Sequence, residues 1–244
     1  MLNLRRLRQA SLVGVGLLLP TLATAQQPPA NQNVGIVTAI QGQAAVSRTS
    51  LPRPESLHFK DDVFFRDQIA TRERSTVRLL LGGKGTLTIR EQSQVTLDES
   101  VSPEGGRRSV ISLLAGKVGA AIAHALMRPG DAVEIHTPNA VAAVRGTVLV
   151  AEYIPPEGHA TRSEPVLLAS AAPGPVVARA PSAGGTSNFL VISGQITITP
   201  QGMPPVTLGT FQAVGIARTA SGRQTGPVQT LTAAQAAEHR GCRE

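Results

Sequence analysis

The 244 residues carry 23 Lys and Arg against 16 Asp and Glu, a formal charge of +7. The excess is dispersed and forms no basic block, and five Phe, one Tyr and no Trp provide no stacking platform, so nucleic acid is not indicated. The same scarcity of rings argues against a lectin-like surface and leaves the interior to Val, Ile, Leu and Ala, which suits thin, closely spaced β layers.

In chain order, the first 25 residues read as a secretory signal. Arg5, Arg6 and Arg8 open it, residues 10–22 form a short apolar run, and Ala23-Thr24-Ala25 is a small-x-small cleavage pattern. Asn3 and Leu4 match a twin-arginine motif poorly, so the general export route is expected. The run is shorter than a span requires, and no later stretch is long and apolar enough, so no transmembrane segment is expected after cleavage behind Ala25. Removal of those residues leaves 219 and lowers the formal charge by three, to +4. The mature chain is then expected in the periplasm or the medium.

Residues 26–33 are a polar lead. Residues 34–48 alternate small and aliphatic side chains around Gly35 and Gly42 and read as strand, turn, strand. Pro52 and Pro54 make the next stretch a loop. A hairpin follows, with residues 77–81 and 86–90 flanking Gly82-Gly83-Lys84-Gly85. Those glycines lack the spacing of a phosphate-binding loop and are followed by a strand where that site needs a helix. Residues 94–98 are a further strand. Residues 110–114 and 117–122 bracket a turn at Ala115-Gly116, and residues 132–136 lead to the stretch His136 to Tyr153. There, residues 140–144 and 147–151 read as a strand pair built around Arg145 and Gly146, because Val141, Val144, Val148 and Val150 favour a buried pleated surface. Thr137 is held extended by Pro138.

Residues 154–187 are rich in Pro, Gly, Ala and Ser and read as an insertion or linker. Alternation returns in 188–218, read as closing β-hairpins of the same domain, one of them turning at Gly194. Residues 219–244 form a tail in which Thr232-Ala-Ala-Gln235 fits a capping box, predicting a short helix.

The segment TPNAVAAVRGT, with Thr137, Pro138, Val144, Arg145, Gly146 and Thr147, resembles the signature of the FecR domain, a periplasmic β-rich module. Asp67, Ile69 and Thr71 are similar to an earlier step of that family. Gly83, Ser93 and Gly116 follow in its order across residues 34–153. Where the family prefers Gly before the Asp, this chain has Arg66, which a backbone needing positive φ would resist. The resemblance implies an all-β fold of twisted, layered antiparallel sheets, a β-sandwich or short β-solenoid, here with a short C-terminal helix. It also implies a habit of binding protein partners. Relatives with a regulator architecture carry a cytoplasmic anti-sigma segment and a membrane helix before the domain. Here a cleavable signal stands in that place.

Chemistry is sparse. His58, His124, His136, His159 and His239 are scattered without ligand spacing, and no serine sits in a nucleophile elbow. Cys242 is the only cysteine, so no intrachain disulfide can form, and it lies in the tail. Asp67 reads as a turn cap. Arg145 has two readings: recognition of an anion, or satisfaction of nearby carbonyls or of Asp67. No catalytic, metal-binding or cofactor-binding residue is expected. The reading is an exported, non-enzymatic FecR-type module that acts in protein–protein interaction or in signal reception at the cell envelope, without an anti-sigma segment of its own. The alternative is an extracytoplasmic structural or polysaccharide-associated surface protein.

Overall fold

The computed structural model describes residues 32–101, 105–156, 184–219 and 222–240. The expected signal peptide and its cleavage site, most of the 154–187 insertion and Cys242 lie outside the described residues. Among those described, no helix is long and apolar enough to cross a membrane.

The chain builds two β layers by crossing repeatedly from one to the other. β1 (Asn33–Gln41) lies in the first layer and passes at Gly42 into β2 (Ala44–Ser47) of the second. The short β3 (Glu55–Ser56) and β4 (Asp62–Phe64) flank the second and first layers. β5 (Gln68–Thr71) is in the second layer. The hairpin of β6 (Thr76–Leu81) and β7 (Gly85–Ile89) is in the first, and β8 (Gln94–Val101) is in the second again. β9 (Arg107–Ile122) belongs to both: its first half pairs with β8 and its last half with β7. β10 (Ala132–His136) and β11 (Ala140–Val144) extend the second layer, and β12 (Val148–Ile154) and β13 (Thr186–Ser193) the first. β14 (Ile196–Pro200) and β15 (Val206–Leu208) complete the second layer. β16 (Gln212–Thr219), β17 (Gly222–Thr225) and β18 (Gln229–Thr230) complete the first, before the helix α1 (Ala233–Arg240).

Eight of the changes of layer each turn on one left-handed residue. Gly42 (φ +76°), Arg66 (+63°), Arg74 (+53°), Gln92 (+51°), Gly116 (+86°), Gly146 (+67°), Gly194 (+89°) and Phe211 (+58°) stand at the crossings. An extended chain carries its direction forward, and a single αL residue redirects it within one step, as in a bulge. Gly suits that conformation. An L side chain there costs roughly 1–2 kcal/mol, so Arg66 needs support. Its amide donates to Leu97 O at 2.8 Å, its guanidinium lies 4.9 Å from the Phe65 ring centroid, and its Nε is 3.8 Å from Asp98.

The structure corrects three expected hairpins. Residues 140–144 and 147–151 do not pair with each other: β11 bonds to β10 and β14, and β12 to β9 and β13. The turn at Ala115-Gly116 is a bend inside one 16-residue strand. The closing hairpin at Gly194 is likewise a crossing, with β13 and β14 in different layers. One pair also departs from antiparallel order. β9 folds over at Gly116 and ends in the first layer on the rim where it began, both ends meeting Lys84; a 3-10 turn (His124–Leu126) follows, and β10 runs parallel beside the first half of β9.

Alternation fills the space between layers. Leu79, Leu87, Ile89, Leu149 and Phe189 from the first layer meet Ile69, Ile111, Leu113, Ile135 and Ile198 from the second in one core. Each such burial is worth roughly 1.5–3 kcal/mol. A smaller cluster lies outside the first layer, where Val150, Leu190 and Ile192 are covered by Ala236 of α1. The helix starts with the predicted box: Gln235 N donates to Thr232 Oγ1 at 3.3 Å and Thr232 N to Gln235 Oε1 at 2.9 Å.

Candidate functional site

Most residues of the FecR-like signature are consumed in building crossings. Asp67 is buried, accepts the Phe64 amide at 2.8 Å and turns both of its oxygens toward Arg48 Nε at 2.9 Å. Arg48, not Arg145, is therefore its cation, and Arg48 also lies 4.6 Å from the Phe64 ring centroid. Ile69 is wholly buried in the core. Thr71 Oγ1 accepts the Ser93 amide at 3.0 Å, tying β5 to the crossing before β8.

Serines lock the glycines on this side of the sandwich. Ser93 Oγ accepts the Lys117 amide at 2.9 Å, and a Cβ on Gly116 would lie 2.6 Å from Ser93 Cα. The same lock recurs at Gly42, where Ser75 Oγ accepts the Gln43 amide at 2.9 Å. The segments Arg72-Glu73-Arg74-Ser75 and Arg90-Glu91-Gln92-Ser93 thus perform one task twice, each with its left-handed residue just before the serine. Gly83 is exposed in the β6–β7 turn, where a Cβ would have nothing within 4 Å.

The TPNA turn works by side chain as well. Thr137 N donates to Ala140 O at 2.9 Å, Ala140 N to Thr137 Oγ1 at 3.2 Å, and Ser187 Oγ to Thr137 Oγ1 at 2.9 Å. Pro138 is exposed. Asn139, which sequence reasoning did not single out, is buried, and its Nδ2 reaches Gly185 O at 2.6 Å and Ile216 O at 3.2 Å. It joins the two layers across 46 and 77 residues of chain. An Asn directly after Pro in a turn was the only local hint.

The opposite rim holds the Arg145–Gly146 crossing. Val144 is in the core and Thr147 is buried, its Oγ1 donating to Gln195 O at 2.9 Å. A Cβ on Gly146 would lie 2.8 Å from His124 Cβ, and one on Gly194 would lie 2.9 Å from Gly146 O. The backbone is therefore packed on both sides. The Arg145 side chain is exposed, and no hydrogen bond or ion pair engages it among the described residues. Neither the Asp67 nor the carbonyl reading of this arginine holds.

Three further groupings lie outside the signature. Glu134 Oε2 receives Arg108 Nη2 and His136 Nε2, each at 2.7 Å, on the outer face of the second layer. Burial pushes its carboxyl up, but the hydrogen bonds and charge of Arg108 and His136 outweigh that and hold it below the ordinary glutamate value. Lys84 and Glu99 are both buried, with Nζ to Oε1 at 3.7 Å, Arg107 Nη1 at 3.6 Å from the same oxygen, and Ser109 Oγ taking Lys84 Nζ at 2.8 Å. A cleft of about 340 Å³ lies between the outer face of β12, β13 and β16 and residues 226–231, with the Lys117–Glu152 pair (3.1 Å) at one end and Val150, Leu190 and Leu231 at the other. Among the described residues no three His, Cys, Asp or Glu side chains gather as a metal site.

These features define a two-layered β module whose motif residues serve the backbone. Residues 67–163 match the family model described as FecR protein, so the chain carries a FecR domain over that span. Two crystal structures of a putative anti-sigma factor from Parabacteroides distasonis are similar to it, at 10% and 9% identity and a TM-score of 0.45 each. Each alignment covers 68% of this chain and 60% of the other, so less than two thirds of those proteins is spanned. No curated protein matches the chain.

Proposed function

We propose that the protein is an exported, non-enzymatic FecR-type module that receives a protein partner in the cell envelope and needs no cofactor. The carrying observation is that Asp67, Thr71, Ser93, Thr137 and Thr147 are spent on backbone bonds. Groups held that way maintain a shape and are not free to move protons. A rigid sandwich with short edge strands such as β15 offers surfaces for another protein. The signal-like residues 1–25 support export. Regulator-type relatives suggest signal reception as the setting. The polysaccharide alternative is the weaker reading, because Phe59 is the one largely exposed aromatic among the described residues.

The test is fractionation of cells expressing the full chain, with the mass of the exported form and photo-crosslinking from several surface positions. A mature N-terminus at Gln26 outside the cytosol and a specific protein adduct are the expected results. Protein retained in the cytosol with the first 25 residues intact, or no adduct from any position, overturns the proposal.

A further inference from the structure

We infer that the rim around the Arg145–Gly146 crossing docks an acidic segment of the partner protein, one that carries an apolar side chain among its carboxylates. This rests on the protein-binding reading above and adds the chemistry and the place.

Register sets the geometry. Ala132 pairs with Arg108, and Val133 with Val144, so the next step along the antiparallel pair puts Arg145 opposite Ala132. Arg108 and Arg145 therefore flank Ala132 on neighbouring strands, roughly 10 Å apart at two strand spacings. Both alternate with buried residues, Ser109 and Val144, so both face outward from the second layer. Arg107 and Arg128 join the same rim, because their amides converge on the Asp131 carboxylate at 2.8 and 3.0 Å. All four arginines are exposed.

The carboxylates nearby neutralise only part of them: Arg108 Nη2 lies 2.7 Å from Glu134 and Arg107 Nη1 3.6 Å from Glu99. Asp131 spends its oxygens on those two amides, and Glu134 is held by Arg108 and His136. Glu99 is buried with Lys84. Five cations, Lys84 and the four arginines, thus meet three carboxylates, Glu99, Asp131 and Glu134, a net charge of +2, and Arg145 has no partner of its own among the described residues. A packed crossing presents it, so little ordering is left for binding, and its planar fork suits a carboxylate in two bonds.

An apolar contact completes the surface. Leu126 is 58% exposed, on the 3-10 turn whose His124 lies against Gly146. Leu126 and Arg145 thus stand on two segments that meet at the His124–Gly146 contact, an exposed apolar residue within a charged border. Net positive charge fixes the sign of the partner segment, and Leu126 requires it to be more than charge.

Two acetylated pentapeptide amides, Glu-Glu-Leu-Glu-Glu and Lys-Lys-Leu-Lys-Lys, would be titrated into the isotope-labelled full chain at low ionic strength. Amide shifts should move at residues 123–127 and 144–147 with the acidic peptide only. Arg145→Gln should weaken that binding about tenfold, the scale of one hydrogen bond to a charged group. Leu126→Ser should weaken it too, and Arg78→Gln, on the other layer, should not. Both variants alter exposed side chains, and an unchanged dispersed spectrum verifies their fold. Shifts centred elsewhere, equal binding of the basic peptide, or full affinity in Arg145→Gln would overturn the inference. Photo-crosslinkers placed at Leu126 and at Arg78 separate the two levels. An adduct from Leu126 that the acidic peptide competes away supports this surface. An adduct from Arg78 alone overturns the surface and leaves the binding module standing, and none from either position counts against both.

Discussion

Gly116→Ala tests whether the crossings hold the two layers together. Gly116 has φ +86° and Gly83 has φ +77°, so an alanine at either place meets a left-handed backbone. That shared penalty is about 1–2 kcal/mol. The sites differ in their surroundings. At Gly83 nothing lies within 4 Å of the added carbon, whereas at Gly116 it would stand 2.6 Å from Ser93 Cα and 2.7 Å from Gln92 O. Those are backbone atoms, so the β8 crossing must move, and overpacking of this kind costs about 1–3 kcal/mol. The Ser93 bond to the Lys117 amide is strained with it, worth about 1 kcal/mol. Gly116→Ala should therefore lose about 3–6 kcal/mol and Gly83→Ala about 1–2 kcal/mol. At roughly 2–4 °C per kcal/mol for a chain of this size, melting falls by about 6–24 °C and about 2–8 °C. Thermal and urea unfolding followed by far-ultraviolet circular dichroism measures both. Losses that agree to within about 0.5 kcal/mol, the ordinary scatter between independent sites, would show that close approach at the crossing contributes nothing.

Asn139→Ala removes its bonds to the Gly185 and Ile216 carbonyls, the first of which keeps the Arg218 amide at 3.3 Å, and should cost about 1–3 kcal/mol in the same assay; a neutral result would remove Asn139 as the tie between layers. Lys84→Met strands the buried Glu99 and should destabilise by about 3–5 kcal/mol, while Lys84→Met with Glu99→Leu should recover most of that loss. A double variant as weak as the single one would mean that the pair does more than neutralise itself. Glu134 has a folded value held below its ordinary 4.5, so its contribution is present above that pH and fades as pH falls through the folded value. The melting difference between the native chain and Glu134→Gln should be full at pH 6 and shrink below about pH 4.5; a difference that grows on acidification refutes the sign.

The layered all-β class, the β6–β7 hairpin and the capped α1 were legible because alternation, a glycine-rich turn and a capping box are local signals. The crossings were not. A hairpin turn and a change of layer both place Gly in the left-handed region between alternating runs, so Gly116, Gly146 and Gly194 look alike in sequence whichever partner follows. Arg74, Gln92 and Phe211 gave no sign at all, since a left-handed backbone at a non-glycine residue is stabilised by distant contacts. Phe211 N, for example, donates to Val191 O at 2.8 Å. For the same reason Arg48 could not be matched to Asp67: their pairing depends on how β2 and β5 lie side by side.

Two roles separate within one motif on the same grounds. Arg145 and Thr147 are two residues apart in the signature, yet only Thr147 has its side chain inside the structure, bonded to Gln195 O at 2.9 Å. Thr147→Val keeps the shape and removes the buried hydroxyl's bond to the carbonyl of Gln195, an exposed residue, a loss of about 1 kcal/mol. Arg145→Ala removes an exposed side chain with no partner among the described residues, so stability should stay within about 0.5 kcal/mol. Urea midpoints of the two variants measured side by side decide the matter. If Arg145→Ala unfolds as easily as Thr147→Val, the arginine is scaffold, and the rim loses its claim to a partner. If it does not, stability cannot explain why an unpaired guanidinium is set on so rigid a crossing, and binding is the remaining physical use for it.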